Sequence, residues 1–312
     1  MTTLVERLQS EPEYAEDYKL AITPVKIESK TTEDGCMLKE PLQRVMTRDI
    51  DRCIGIHGSH YKLVPYRDIL MGLSSALDEY NISIEDSKLV FSVDYALSRM
   101  KLRIMFGDTS KYGIYTMQHN PDDKLQFGIE VVSSYDASVM YKLQIMLLRL
   151  ICTNGMKSFE TINSSLRRHT TNFKLEDSFK KLENLNDSFN KLSNTLESYQ
   201  SVELKQENVK DLFKKFANGS TSKEWLLNEK MENRDKPTLY DVYNSITNYS
   251  SHNQRALSDG GTKKEPKFKL SPSNMDSIKS DDRRNLEVQN FLNSKLFIYY
   301  RDNARVNMLR AN

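Results

Sequence analysis

Two stretches decide the fold: Leu89-Val-Phe-Ser-Val-Asp-Tyr95 and Arg99-Met-Lys-Leu-Arg-Ile-Met-Phe106. Each alternates apolar and polar residues with a period of two, the pattern of a strand with one face in a core. Leu89, Phe91, Val93 and Tyr95 share one side of the first, and Met100, Leu102, Ile104 and Phe106 share one side of the second. Successive strand side chains leave on opposite faces, so Arg99, Lys101 and Arg103 line up on the other side at roughly 7 Å intervals. That interval is comparable with the separation of phosphates along a nucleic-acid strand. Two further strands, Tyr112 to His119 and Leu125 to Val132, follow turn chemistry at Gly107-Asp-Thr-Ser110 and Asn120-Pro-Asp-Asp123. The series predicts an antiparallel meander.

Upstream, Ile69, Leu70, Leu73, Ala76 and Leu77 recur at helical spacing, which predicts an amphipathic helix over Tyr66 to Tyr80. Ile54 to Pro65 reads as a short extended segment with glycine turns. Residues 1–53 are polar, carry Pro12, Pro24 and Pro41, and read as an extension of short helices or strands. Downstream, Val139, Leu143, Met146, Leu147, Leu150 and Ile151 form a helical stripe, with Ile145 and Leu148 off it. This predicts an apolar helix over Val139 to Ile151, capped by Ser134 or Asp136, stopped at Asn154-Gly155, and sandwiched between the sheet and another layer, such as a second subunit.

A long two-sided helix is expected from Lys174 to Val202, where Leu175, Phe179, Leu182, Leu185, Phe189, Leu192, Leu196 and Tyr199 step by threes and fours. Helices follow at Val209 to Phe216, Thr238 to Tyr249 and Leu286 to Tyr300, with Trp225 to Met231 leading through Lys236-Pro237 into the second of them. Residues 257–284, short of hydrophobes and rich in Lys and Arg, read as a mobile basic linker. The fold class is α+β, an antiparallel meander packed on a long apolar helix with a helical insertion and C-terminal helices. The division expected is an extension over 1–53, the α+β core over 54–170, a helical segment over 171–235 and C-terminal helices over 236–312.

Composition narrows the function. A formal net charge of +2 over 312 residues excludes a globally basic nucleic-acid binder, so phosphate contact must come from local clustering. Cys36, Cys53 and Cys152 are odd in number and widely spaced, unlike a disulfide framework, which fits a reducing cytoplasm. The acidic start at Glu11, Glu13, Glu16 and Asp17 does not resemble a secretory signal. The longest oily run, Val139 to Cys152, is broken by Lys142 and Arg149 and is too short for a bilayer. No membrane role is expected.

No catalytic constellation accompanies these features. His119, His169 and His252 stand apart from any nucleophile, and no phosphate loop, dinucleotide fingerprint or nucleophile elbow occurs. Cys53, His57 and His60 are close together but lack the fourth ligand of a structural metal site, so no metal or other cofactor is expected. The row Arg99, Lys101, Arg103 has two readings, an ordinary solvated strand face or a phosphate-binding track. Lys142, Arg149 and Lys157 along the predicted apolar helix, with Arg167 and Arg168 after it, extend the second reading. Tyr112, Tyr115 and Phe127 are candidate base-stacking platforms or core residues.

Several ordered segments resemble phage/plasmid-like proteins grouped as a domain of unknown function. They are Gly58-Ser-His-Tyr-Lys-Leu-Val-Pro65, the meander, Ser133-Ser-Tyr-Asp-Ala-Ser138, Leu148-Leu-Arg-Leu-Ile-Cys-Thr-Asn-Gly-Met156 and Thr238-Leu-Tyr-Asp-Val-Tyr-Asn-Ser-Ile-Thr-Asn-Tyr249. That resemblance implies a bacteriophage or mobile-element setting. The order of helix, meander and long helix is also similar to the core of single-strand annealing proteins of the Redβ, RecT and ERF type, which implies rings or filaments holding single-stranded DNA in a basic groove. The small net charge and the helical insertion after Phe173 depart from that pattern. The expectation is a non-enzymatic, self-associating single-stranded DNA-binding protein of the host cytoplasm, serving annealing or recombination. The alternatives are a structural or scaffolding phage protein without DNA affinity and, after it, a nucleic-acid-processing enzyme with an unfamiliar motif, which divalent-metal dependence would reveal.

Overall fold

A computed structural model describes residues 2–30, 42–47, 53–94, 96–108, 110–118, 120–149, 165–167, 169–170, 172–229, 231, 235–251, 253–256, 268–271 and 286–302. Two helices open the chain, α1 (Leu4–Ser10) and α2 (Pro12–Ala21), and a three-stranded antiparallel sheet follows, of β1 (Val25–Lys30), β2 (Leu42–Thr47) and β3 (Cys53–His57). Thr3 and Glu6 form a reciprocal cap on α1. Pro12 starts α2, where its missing N–H is no loss. Next come α3 (Tyr66–Glu79), β4 (Lys88–Val93), β5 (Arg99–Met105), β6 (Ile114–Met117), β7 (Asn120–Ser134), β8 (Tyr141–Arg149) and β9 (Ser165–Arg167). The main sheet runs β4-β5-β7-β8-β9, with β6 paired to β7. The remaining elements are α4 (Leu175–Phe179), α5 (Leu185–Gln200), α6 (Gln206–Ala217), α7 (Thr221–Glu229), α8 (Leu239–Ser251), β10 (Asn253–Ala256) and β11 (Phe268–Ser271), with helical turns over 286–292 and 295–302. The architecture is α+β, as the sequence predicts.

These elements form two compact units. The first comprises the described residues of 1–114, 127–145 and 163–186, and the second those of 115–126, 146–162 and 187–312. In the first, Leu89, Phe91 and Val93 of β4, Met100, Leu102 and Ile104 of β5, and Ile129 and Val131 of β7 are all buried. The alternation in the sequence is therefore the alternation of a half-oily sheet. Edge strand β4 is covered by α2: Tyr14 donates to the Leu89 carbonyl at 3.1 Å, and Asp17 accepts the Val93 N–H at 3.0 Å. Satisfying an edge backbone with a helix removes a template for aggregation. Asp94 organises the β4–β5 turn by accepting from the Ser98 N–H and hydroxyl, each at 2.6 Å, and from the Arg99 N–H at 3.1 Å.

The segment expected as an apolar helix, Val139 to Ile151, is instead strand β8 over Tyr141–Arg149. Its helical stripe coincides with a period-two pattern in Tyr141, Leu143 and Ile145. A continuous apolar run does not distinguish the two by periodicity alone. Hydrogen-bonding edges on both β7 and β9 decide it, and Tyr141, Lys142, Leu143, Ile145 and Met146 are buried whichever way they point. The expected cap residues serve a hairpin turn: the Ser134 hydroxyl bonds both the Val139 N–H and carbonyl, and Asp136 accepts the Ser138 N–H at 2.8 Å. Asn120 to Asp123, expected as a turn, already belongs to β7. The expected stop at Asn154-Gly155 lies outside the described residues.

Along α5, Leu185 at the end of the first unit and Phe189, Leu192, Leu196 and Tyr199 in the second are buried, as their spacing predicts. The helical run from Leu175 to Gln200 is interrupted by a 3-10 turn at Lys180–Asn184. Helix α6 ends where Asn218 takes the left-handed conformation, φ 50°. Thr238 and Asp241 cap α8 reciprocally, and every residue of that helix from Leu239 to Thr247 is buried. Tyr199 packs on Tyr243 and Phe297, and Phe291 on Phe216 and Phe297. Within the expected linker 257–284, Phe268–Ser271 pairs antiparallel with Asn253–Ala256, and the rest lies outside the described residues.

Candidate functional site

Directly paired residues of an antiparallel ladder share a face, so the register fixes what surrounds the cationic row. Arg99 stands opposite Ser134, Lys101 opposite Ser92 and Val132, and Arg103 opposite Val90 and Glu130. The Gln144 amide donates to Glu130 Oε1 at 2.8 Å, which puts Gln144 of β8 on that face too. Lys142, two residues earlier on the same strand, shares it. Lys88, opposite Met105, opens the face at its outer edge, where it and Val90 are exposed. Five cations from three strands, Lys88, Arg99, Lys101, Arg103 and Lys142, thus occupy one sheet face. Lys142 arrives there because β8 is a strand.

The row is less open than a solvated strand face. Arg103 Nε donates to Glu130 Oε2 at 2.6 Å, and Glu130 is fully buried. Arg99 Nε donates to Ser138 Oγ at 2.8 Å and its Nη2 lies 3.9 Å from Asp136 Oδ2. The side chains of Arg99 and Arg103 keep 18% and 20% of their surface, whereas Lys101 and Lys142 are only 9% exposed and are engaged as well. The most open cations on this face are therefore Lys88, Arg99 and Arg103. Arg149 falls in β8 and Arg167 in β9, with side chains outside the described part, and Lys157 and Arg168 lie outside the described residues.

The three aromatic platform candidates are not open platforms. Phe127 is 4% exposed and belongs to the core. Tyr112 tilts against Phe106 with Lys111 Nζ 5.4 Å from its ring, and Tyr115 donates to Glu197 Oε1 at 3.0 Å. Cys53 is exposed, His57 Nε2 bonds the Tyr135 carbonyl at 2.6 Å, and no group of three metal-ligating side chains occurs among the described residues.

Sequence reasoning missed a histidine and tyrosine cluster. His57 stacks on Tyr61 with ring centroids 3.7 Å apart, and Tyr61 on His169 at 5.6 Å. A backbone bridge from Tyr61 to Thr170 brings these distant segments together, and Lys62 N–H donates to the His169 carbonyl at 3.1 Å. Gly55 permits the approach of β3 to the β7–β8 turn, since a Cβ there would lie 2.5 Å from the Tyr135 carbonyl. Burial first, then the neighbouring His57, lowers the His169 pKa to about 4 against an opposing effect of the Lys62 backbone, so the ring is neutral at pH 7. No local motif announces this cluster; only the strand pairing assembles it.

A family described as Domain of unknown function (DUF932) matches residues 54–287, most of the chain. The chain belongs to this family. The DUF932 match begins in β3 and runs past β11, so it contains both the cationic face and the histidine cluster. No curated protein and no solved structure matches the chain significantly. Among the described residues no helix is long and apolar enough to cross a membrane.

Proposed function

We propose that this DUF932 protein is a non-enzymatic single-stranded DNA-binding protein of a phage or mobile element, acting as a homo-oligomer in the host cytoplasm during annealing or recombination. The observation that carries the reading is the gathering of Lys88, Arg99, Lys101, Arg103 and Lys142 on one sheet face, with Glu130 within it and Asp94 and Asp136 both at its Arg99 end. From Lys88 to Arg99 the face runs the length of β5, about 20 Å at strand rise, enough for several phosphates. Cations held by a sheet neutralise a backbone without reading base edges, which leaves bases free to find a complement. The phage setting and the annealing role come from the resemblances in sequence and element order, and self-association from the likeness to ring-forming annealing proteins.

The test is fluorescence anisotropy of a labelled oligothymidylate at low salt, with size-exclusion chromatography of the complex. Binding by an oligomer is expected. The Arg99, Lys101 and Arg103 triple alanine variant, checked for folding by circular dichroism, should bind at least tenfold more weakly. Absence of binding, or wild-type affinity in the folded triple variant, overturns the proposal.

A further inference from the structure

Beside the stacked rings lies a cleft of about 370 Å³, lined by His57, Tyr61 and His169 on one part and by Ala137, Val139 and Met140 on another. That volume is within the range of small-ligand sites. Two of the lining residues each hold a buried polar atom without a hydrogen-bond partner, Tyr61 Oη and His169 Nδ1. His169 is 7% exposed, and its Nε2 lies 3.4 Å from the Ser133 hydroxyl. Buried polar groups are nearly always satisfied, so two orphans in one cleft mark where a ligand's polar edge belongs.

The chemistry of the walls selects the ligand. The lining contains no carboxylate, lysine or arginine, so an anionic group gains nothing inside. Flat rings and the Met140 thioether favour a planar, polarisable guest, and Tyr61 and His169 hold hydrogen-bonding capacity that no protein group uses. The Ala137 to Met140 wall is the turn that Arg99 grips through Ser138, so a cation stands next to the wall. We infer that this cleft binds a single nucleobase, with its neutral ring against Tyr61 and His169 and its sugar-phosphate left outside beside Arg99. The base comes either from a free nucleoside or from an unpaired position of a strand. The second source rests on the DNA-binding reading above.

The sources are separated by titrating wild type with adenosine and thymidine while following the His169 imidazole resonances. In parallel, anisotropy compares an oligodeoxynucleotide with an abasic strand of equal length. A base-binding cleft shifts the His169 signals with nucleoside and gives at least tenfold preference for the intact strand. Tyr61→Phe keeps the stacked ring and removes only the hydroxyl; it should reduce that preference severalfold without changing abasic affinity. If intact and abasic strands bind equally and nucleosides leave His169 unmoved, the cleft inference falls while phosphate binding stands. If nucleosides shift His169 but no strand binds, the cleft stands and the DNA reading falls.

Discussion

The two faces of β5 are both largely covered, yet different forces hold them. On one, Met100, Leu102 and Ile104 are fully buried among other hydrocarbons, and burial alone explains their place. On the other, Arg103 reaches a fully buried Glu130, Arg99 reaches Ser138, and Lys101 keeps only 9% of its surface. The first face determines the fold. The second is poorly explained by stability, since a buried ion pair seldom outperforms well-packed apolar residues, and that is why a ligand-binding role is assigned to it.

The largest expected effect tests the oily face. Leu102→Ala should destabilise by about 4 kcal/mol in a urea titration, from lost transfer energy and a cavity. A change under 1 kcal/mol would mean that this face is not the core.

On the ionic face, Arg103→Ala removes a cation held 2.6 Å from the buried Glu130 and should cost about 3 kcal/mol, reduced from a fully buried case because Arg103 keeps 20% exposure. Arg103→Met combined with Glu130→Leu should recover most of it. Failure to recover would show that the pair stabilises the sheet in its own right, and the contrast between the faces would lose its meaning.

His169 is a polar guest on the oily face, because its partner Ser133 stands opposite Met100. Its pKa is about 4 in the folded chain against 6.5 for the free side chain, so the unfolded state takes up the proton first. The resulting stability is complete above pH 6.5 and is lost as pH falls from there towards 4, by up to about 3 kcal/mol. His169→Gln should flatten that slope; an unchanged slope would place the titration elsewhere. The smallest effect is Arg99→Gln, which should alter stability by less than about 1 kcal/mol, because its Asp136 contact is long at 3.9 Å and partly solvated and its other contact is to a neutral hydroxyl. A larger loss would make Arg99 structural.

Period-two alternation at Leu89 to Phe106 was enough to read β4, β5 and the buried face, and three-four spacing was enough for α3, α5, α6 and α8. Strand β8 was not legible, because its hydrophobes satisfy both periods and only hydrogen-bonding neighbours distinguish them. Misplacing β8 also misplaced Lys142, assigned to a helix edge when it lies in the same sheet as Arg103. Lys88 was overlooked because a single lysine before an oily run carries no signal until register places it opposite Met105. The histidine cluster was invisible for a related reason, since His57 and Tyr61 meet His169 only through a tertiary bridge.

If the ionic face meets phosphates, as proposed, oligothymidylate binding must weaken with salt in proportion to the contacts made. For wild type, log K should fall linearly with log salt concentration, and Lys88→Gln with Arg99→Gln should flatten the slope by about 1.4, or 0.7 for each lost contact to a single strand. Identical slopes for the two proteins would contradict the claim.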